Sequence, residues 1–219
     1  QIAKAKRASE SVLGTLELHV EQGGSLDQMG IPVGIVTSIA GVKRYSVVLG
    51  GEAKHSGSTR MCDRHDALVA AGKMIGILPD IVQKYGDSFT VGTVGQISVE
   101  PGAVNIIPGR CEFLLEFRDQ SEETMERLAE IFRKTLSHVC EQRDIRMSMK
   151  LISDHEPGKM NSEIQRITRE ACEKLEIPYT SIPSGAFHDS LLLTQRFPAG
   201  MIFVPSEGGI SHSPREFTR

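Results

Sequence analysis

Residues 42 to 152 read as strand, helix, strand, strand, helix, strand, an order that few folds can absorb. Residues 42–49 alternate as a β-branched run that Gly50-Gly51 breaks. Residues 63–84 carry Leu68, Ala71, Ile75 and Leu78 at helical spacing. Asp63 and Asp66 stand where a helix N-terminus favours negative charge, and Pro79 is expected to kink or shorten the helix. Residues 89–99 and 110–118 alternate as strands joined by Gly-Ala-Val-Asn-Ile-Ile-Pro-Gly. Residues 121–141 form the cleanest helix, opened by Ser121 and faced by Met125, Leu128, Ile131, Phe132 and Leu136. Residues 145–152 alternate once more. The series is a split βαβ unit of ferredoxin type over residues 41–153, close to a common domain size.

The flanking segments, residues 1–40 and 154–219, read as a different α/β unit that this one interrupts. Residues 2–13 resemble the end of an amphipathic helix. Leu16-Glu17-Leu18-His19-Val20 predicts a buried strand, with the leucines on one face and Glu17 and His19 on the other, stopped by Gly23-Gly24. A helical turn near residues 25–29 and a strand over 31–40 follow. After the insertion come helices at 162–175 and 188–195, a turn at Ser184-Gly185, and an apolar strand over 202–206 leading into a loop with His212. His65 reads as a surface residue of the first inserted helix. Two imidazoles from distant parts of the chain, each beside the end of a core strand, are what a metal site assembled from strand ends requires. Each could instead satisfy a nearby carbonyl.

Composition narrows the classes of function. A formal net charge of −3 offers nothing to nucleic acid or an anionic membrane, and no apolar run approaches membrane-spanning length. Cys62, Cys111, Cys140 and Cys172 are scattered without a CxxC pair, which predicts free thiols in a cytoplasmic protein rather than a disulfide scaffold. No GxSxG elbow supports a serine nucleophile.

The motifs Glu17–Gly23 (ELHVEQG), Gly51–Thr59 (GEAKHSGST), Gly102–Gly109 (GAVNIIPG), Phe117–Asp119 (FRD), Ser184–Ser190 (SGAFHDS) and Met201–Pro214 (MIFVPSEGGISHSP) occur in one order across nearly the whole chain. In this the sequence resembles the hydantoinase/carbamoylase branch of the aminoacylase-like binuclear metallohydrolases. That branch includes N-carbamoyl-amino-acid hydrolases, allantoate amidohydrolases and β-ureidopropionases. The resemblance implies the C-terminal part of a zinc-exopeptidase-like metal-binding domain, with the ferredoxin-like insertion serving as lid and homodimer contact. It implies hydrolysis of a linear amide C–N bond in an N-carbamoyl or ureido acid by a hydroxide bridging two divalent ions, with zinc, manganese, cobalt and nickel all suited to the ligands.

Carried over residue by residue, the resemblance makes His19 and His212 metal ligands, one on each ion. His55 becomes the lid histidine that stabilises the tetrahedral oxyanion in a partner subunit's site. Asn105 and Arg118 would grip the substrate carboxylate, Arg118 through its planar fork. Gln22 would bond the ureido group, Gly185 and Ala186 would form a backbone-lined wall, and His188 would join the substrate site. On local grounds alone Asn105 could satisfy its own turn, Arg118 could pair with Asp119, and Asp189 could cap its helix. The resemblance also places the other ligands and the general-base Glu upstream of Gln1, so the chain is expected to be a fragment, inactive by itself. The rival expectations are an aminoacylase or dipeptidase of the wider superfamily, and a non-catalytic dimerisation and substrate-gripping module.

Overall fold

The computed structural model describes residues 7–218. In chain order the elements are β1 (Thr15–Val20), α1 (Ser25–Met29), β2 (Val33–Ile39), β3 (Gly41–Gly50), α2 (Ala67–Tyr85), β4 (Val91–Glu100), β5 (Arg110–Asp119), α3 (Glu122–Glu141), β6 (Arg146–His155), β7 (Gly158–Lys159), α4 (Ser162–Lys174), β8 (Tyr179–Ser184), α5 (Asp189–Thr194) and β9 (Ala199–Val204). They fall into two compact units: residues up to 40 together with those from 157 onward, and residues 41–156.

The 41–156 unit is an antiparallel sheet in the order β4-β5-β3-β6, the ferredoxin-type order for this βαββαβ chain. Strict alternation in β5 buries Cys111, Phe113, Leu115 and Phe117 on the face that α2 and α3 cover. Phe132 of α3 meets the rings of Phe113 and Phe117 edge-on, each at 6.4 Å. Ser121 caps α3, its hydroxyl accepting from the Thr124 N–H.

The expectations for α2 are met in part. Asp66, not Asp63, is its cap and accepts from the Leu68 and Val69 N–H groups, while Asp63 lies in a separate 3-10 turn. The helix is not shortened at Pro79 and runs on to Tyr85, because burial of Leu78 and Ile81 on either side outweighs the lost backbone bond. Its apolar face includes the expected Ala71, Ile75 and Leu78 and adds Ala67, Ala70, Met74 and Ile81, whereas Leu68 is 36% exposed. His65 precedes the helix and bonds the Arg143 carbonyl through Nδ1 at 2.9 Å, so it ties two loops together.

The other unit holds a mixed sheet. β1 and β9 are parallel, β9 and β2 antiparallel, and β2 also pairs with β8 (parallel) and β7 (antiparallel). Strand β8 occupies residues just before the turn expected at Ser184-Gly185, and the alternation signal there was too weak to reveal it. The core gathers Leu26, Val36, Ile39, Met160, Leu191, Met201 and Phe203. Residues 7–13 hold a 3-10 turn at Ser9–Ser11 where a helix was expected; the rest of that expectation lies outside the described residues. The β1 expectation is inverted. Among the described residues Leu16 and Leu18 are 58% and 69% exposed, while Glu17 and His19 are partly buried, because β1 is there the last strand of the sheet and its other face meets polar groups.

No helix among the described residues is long and apolar enough to cross a membrane. Cys62 is exposed, the other cysteines are buried, and all are free.

Candidate metal centre

The parallel pairing of β1 with β9 sets His19 opposite Phe203 and Val20 opposite Val204, so both strands deliver their loops to one rim. The loops stay together beyond the strands. Glu21 N–H bonds the Val204 carbonyl at 2.9 Å, and Gln22 N–H bonds the hydroxyl of buried Ser206 at 3.0 Å. The buried Glu21 carboxylate turns away from the rim and accepts from the Ser25 and Leu26 N–H groups at the start of α1. Gly209 has φ +68°, and a Cβ there would stand 3.0 Å from the Gly24 nitrogen, so only glycine lets the two loops approach.

Gln22 and His212 both occupy left-handed backbone, at φ 61° and 55°, a conformation costing non-glycine residues about 1 kcal/mol or more each. Their side chains meet, Nε2 to Nε2, at 2.9 Å. An amide N–H can only donate, so His212 presents an Nε2 lone pair there, the same atom a cation would need. Gln22 was expected to hold a ureido group; in this structure its amide is spent on the histidine. Glu216 accepts from the Ser211 hydroxyl at 2.6 Å and the His212 N–H at 2.9 Å. These two bonds first, and the His212 and His19 imidazoles after them, hold its carboxyl below the usual range.

His19 also belongs to a second group, on the inner face of the sheet. Its Nδ1 bonds the Val20 carbonyl at 2.8 Å; a carbonyl only accepts, so Nδ1 carries the proton and Nε2 the lone pair. Its ring stands edge-on to His188, centroids 4.5 Å apart. His188 is buried against Phe203 and bonds the Ser184 hydroxyl through Nε2 at 3.0 Å. That hydroxyl donates its proton to the Ala186 carbonyl, so His188 Nε2 donates and Nδ1 is bare, 4.0 Å from Glu17 Oε1. Burial, and secondarily His19, push the His188 imidazole down to about 4, which keeps it neutral. The other Glu17 oxygen accepts from Ser190 N–H at 2.9 Å.

One candidate ligand atom from each of Glu17, His19 and His188 lies within 4.8 Å of the others. Each side chain has its remaining polar atom tied to a protein partner, the arrangement that orients metal ligands. A carboxylate and two imidazoles, each with a lone pair not spent on a protein donor, suit a zinc-like ion, so the residues present fit the group the motifs imply. Sequence reasoning missed Glu17, although its i, i+2 spacing to His19 put both on one face. Ser190 N–H is capped by Glu17, and Asp189 is the first helical residue rather than the cap. Ala186 N–H bonds Ser184 Oγ beside His188, and a Cβ on the neighbouring Gly185 would meet open space.

The sites expected on the other unit separate into two ends. His55 forms a β-bridge with Ile106, and Ser56 N–H bonds the Asn105 carbonyl at 2.9 Å, so His55 and Asn105 share one loop cluster. Gly51 makes this possible: a Cβ there would fall 1.9 Å from the His65 carbonyl oxygen. Arg118 is near the far end of β5 from Arg110, roughly 26 Å away at about 3.3 Å per residue. Its Nε bonds Glu116 at 2.6 Å, and Arg44 bonds the other Glu116 oxygen. Burial pushes the Glu116 carboxyl up, but the two guanidinium bonds outweigh it and hold it below the usual range. Asp119 is buried and accepts from Thr90 and from Ser121 N–H.

An α/β unit with carboxylate and imidazole donors beside its sheet, interrupted by a ferredoxin-type unit, defines an architecture of the metallopeptidase kind. The chain belongs to peptidase family M20/M25/M40, whose model matches residues 2–219. It is 36% identical over 218 residues to the N-carbamoyl-L-amino acid amidohydrolase of Geobacillus stearothermophilus, covering 100% of this chain and 53% of that protein. It is 37% identical over 203 residues to the allantoate amidohydrolase of Bacillus subtilis, covering 93% of this chain and 49% of that one. A solved hydantoinase/carbamoylase family amidase from Burkholderia multivorans superposes with a TM-score of 0.87 at 30% identity, over 95% of this chain and 50% of its own. The chain spans about half the length of these relatives.

Proposed function

We propose that the protein containing this chain is a metal-dependent amidohydrolase that cleaves the linear amide C–N bond of an N-carbamoyl or ureido acid. The observation carrying this reading is the cluster of Glu17, His19 and His188 at the end of β1; the paired strand β9 leads on to His212, which Gln22 holds. A divalent ion pair supplies a hydroxide nucleophile and polarises the amide carbonyl when bound. His19 and His212 hold the ions through Nε2, and Glu17 and His188 hold His19 in place or add a ligand. Gln22 turns its amide between His212 and the ureido group. Gly185 and Ala186 wall the substrate. The ions are zinc, manganese, cobalt or nickel, and the free thiols suit a cytoplasmic enzyme.

The residue placement supports a homodimer. Asn105 and His55 share the loop cluster that precedes β5, whereas Arg118 is near the strand's other end, roughly 26 Å from Arg110 at about 3.3 Å per residue, so one lid does not bring all three to a single carboxylate. In this reading Arg118 grips the carboxylate from one lid, while His55 and Asn105 reach the same substrate from the lid of a second copy.

The test is ammonia release from N-carbamoyl amino acids and allantoate by the full-length protein, before and after chelation and metal return. Metal-dependent release that Arg118→Lys weakens mainly through KM supports the reading. Cleavage of N-acetyl amino acids or dipeptides with no release from ureido acids, and indifference to Arg118→Lys, would instead establish the aminoacylase or dipeptidase alternative.

A further inference from the structure

His55 is carried by a turn whose hydrogen bonds decide which of its nitrogens bears the proton. The backbone N–H of Gly57 points at His55 Nδ1, 3.1 Å away. A backbone N–H has no acceptor capacity, so Nδ1 must present a lone pair, and the ring proton of the neutral imidazole sits on Nε2. The ring is exposed, so the protonated edge is open to a ligand. The rest of the turn is equally constrained. The His55 carbonyl accepts from both the N–H and the hydroxyl of Thr59, at 3.2 and 2.9 Å, while Ser56 N–H is held by Asn105.

Arg64 closes this turn from below. Its Nε and Nη2 donate to the Thr59 carbonyl at 3.1 and 3.0 Å, and Nη2 also donates to the Ser56 carbonyl at 2.5 Å. Those carbonyls bracket Gly57-Ser58, so one planar guanidinium fixes the peptide that aims at His55. A lysine ammonium lacks that flat fork and cannot reproduce the pattern. Gly57 is fitted to the ring as well: a Cβ there would stand 3.2 Å from His55 Cε1 and 3.5 Å from Nδ1.

We infer that Arg64 is a positioning residue that locks His55 as an Nε2–H hydrogen-bond donor, through the Gly57 N–H. This deepens the proposed function and rests on it only for the target of the donor, the oxyanion of the tetrahedral intermediate. In this tautomer Nε2 can donate a hydrogen bond to developing negative charge but cannot accept a proton, so His55 is not the base that activates water.

The tautomer is read directly by long-range proton–nitrogen NMR of the nitrogen-15-labelled 219-residue chain, with His55 identified by the signal lost in His55→Gln. The expected pattern is an unprotonated Nδ1 and a protonated Nε2. Arg64→Lys and Gly57→Ala should each collapse it to a tautomer average while far-UV circular dichroism stays unchanged. A protonated Nδ1 in the unsubstituted chain overturns the inference, as does an unaltered pattern in Arg64→Lys. Should Arg64→Lys fail to fold, Arg64→Gln is read in the same way. In the full-length protein Arg64→Lys should lower kcat about tenfold, a fraction of what losing an oxyanion donor costs, with KM little changed. An unchanged kcat overturns the positioning role. Absence of any amide hydrolysis would defeat the functional reading while leaving the NMR result standing.

Discussion

Lys43 is 3% exposed in the first residues of β3, yet its ammonium is surrounded by acids. Nζ lies 3.0 Å from both Asp154 oxygens, 3.1 Å from Glu122 and 3.7 Å from Glu126. Burial pulls its pKa down, but the bonds and charges of Asp154 and Glu122 outweigh this and hold it well above the usual lysine value. The perturbation is Lys43→Met, which keeps the aliphatic stem and removes the charge. The acidic side chains are 41%, 43% and 64% exposed, so each lost pair is worth about 0.5–1 kcal/mol rather than a buried-pair value. Methionine also removes the cost of desolvating the ammonium, leaving a net loss of about 1–2 kcal/mol at pH 7. Because the folded pKa is raised, the stabilisation is complete below the unfolded value of about 10.4 and drains away as pH rises above it. At pH 11 the unsubstituted chain should therefore have surrendered up to about 1 kcal/mol of its advantage. Urea unfolding followed by far-UV circular dichroism at pH 7 and pH 11 measures both gaps, and taking the difference between the two proteins cancels other titrating groups. A variant as stable as the parent at pH 7, or a gap that widens at pH 11, would refute this account of the cluster.

Gly51→Ala should cost more than about 3 kcal/mol or release the 51–57 loop, since its Cβ would strike the His65 backbone carbonyl; hydrogen exchange of those amides reports it. Phe132→Ala should cost about 3–5 kcal/mol in urea unfolding, because the ring is fully buried between Phe113 and Phe117. Glu17→Gln should lower zinc affinity of the full-length protein about 10- to 100-fold by calorimetry, as lost orienting partners do, and an unaltered affinity would remove Glu17 from the centre.

Residues 41–156 were the most legible part of the chain. Cys111, Phe113, Leu115 and Phe117 alternate without a break, and α3 carries one uninterrupted apolar face, so periodicity alone yields the elements there. Period also correctly separated Glu17 and His19 from Leu16 and Leu18. Which of those two faces meets His188, 169 residues further along the chain, could not be read from β1 itself. Pro79 and Asp63 show the same limit, since burial of Leu78 and Ile81 and the cap at Asp66 overrode local preference. Motifs in the sequence determined the family and named His19, His55, Asn105, Arg118 and His212. Only tertiary structure could pair His212 with Gln22, set Glu17 beside His188, and join Asn105 to the His55 loop while Arg118 pairs with Glu116. Hydrogen-bond partners and distances depend on where non-local strands dock, and a linear pattern carries no record of that.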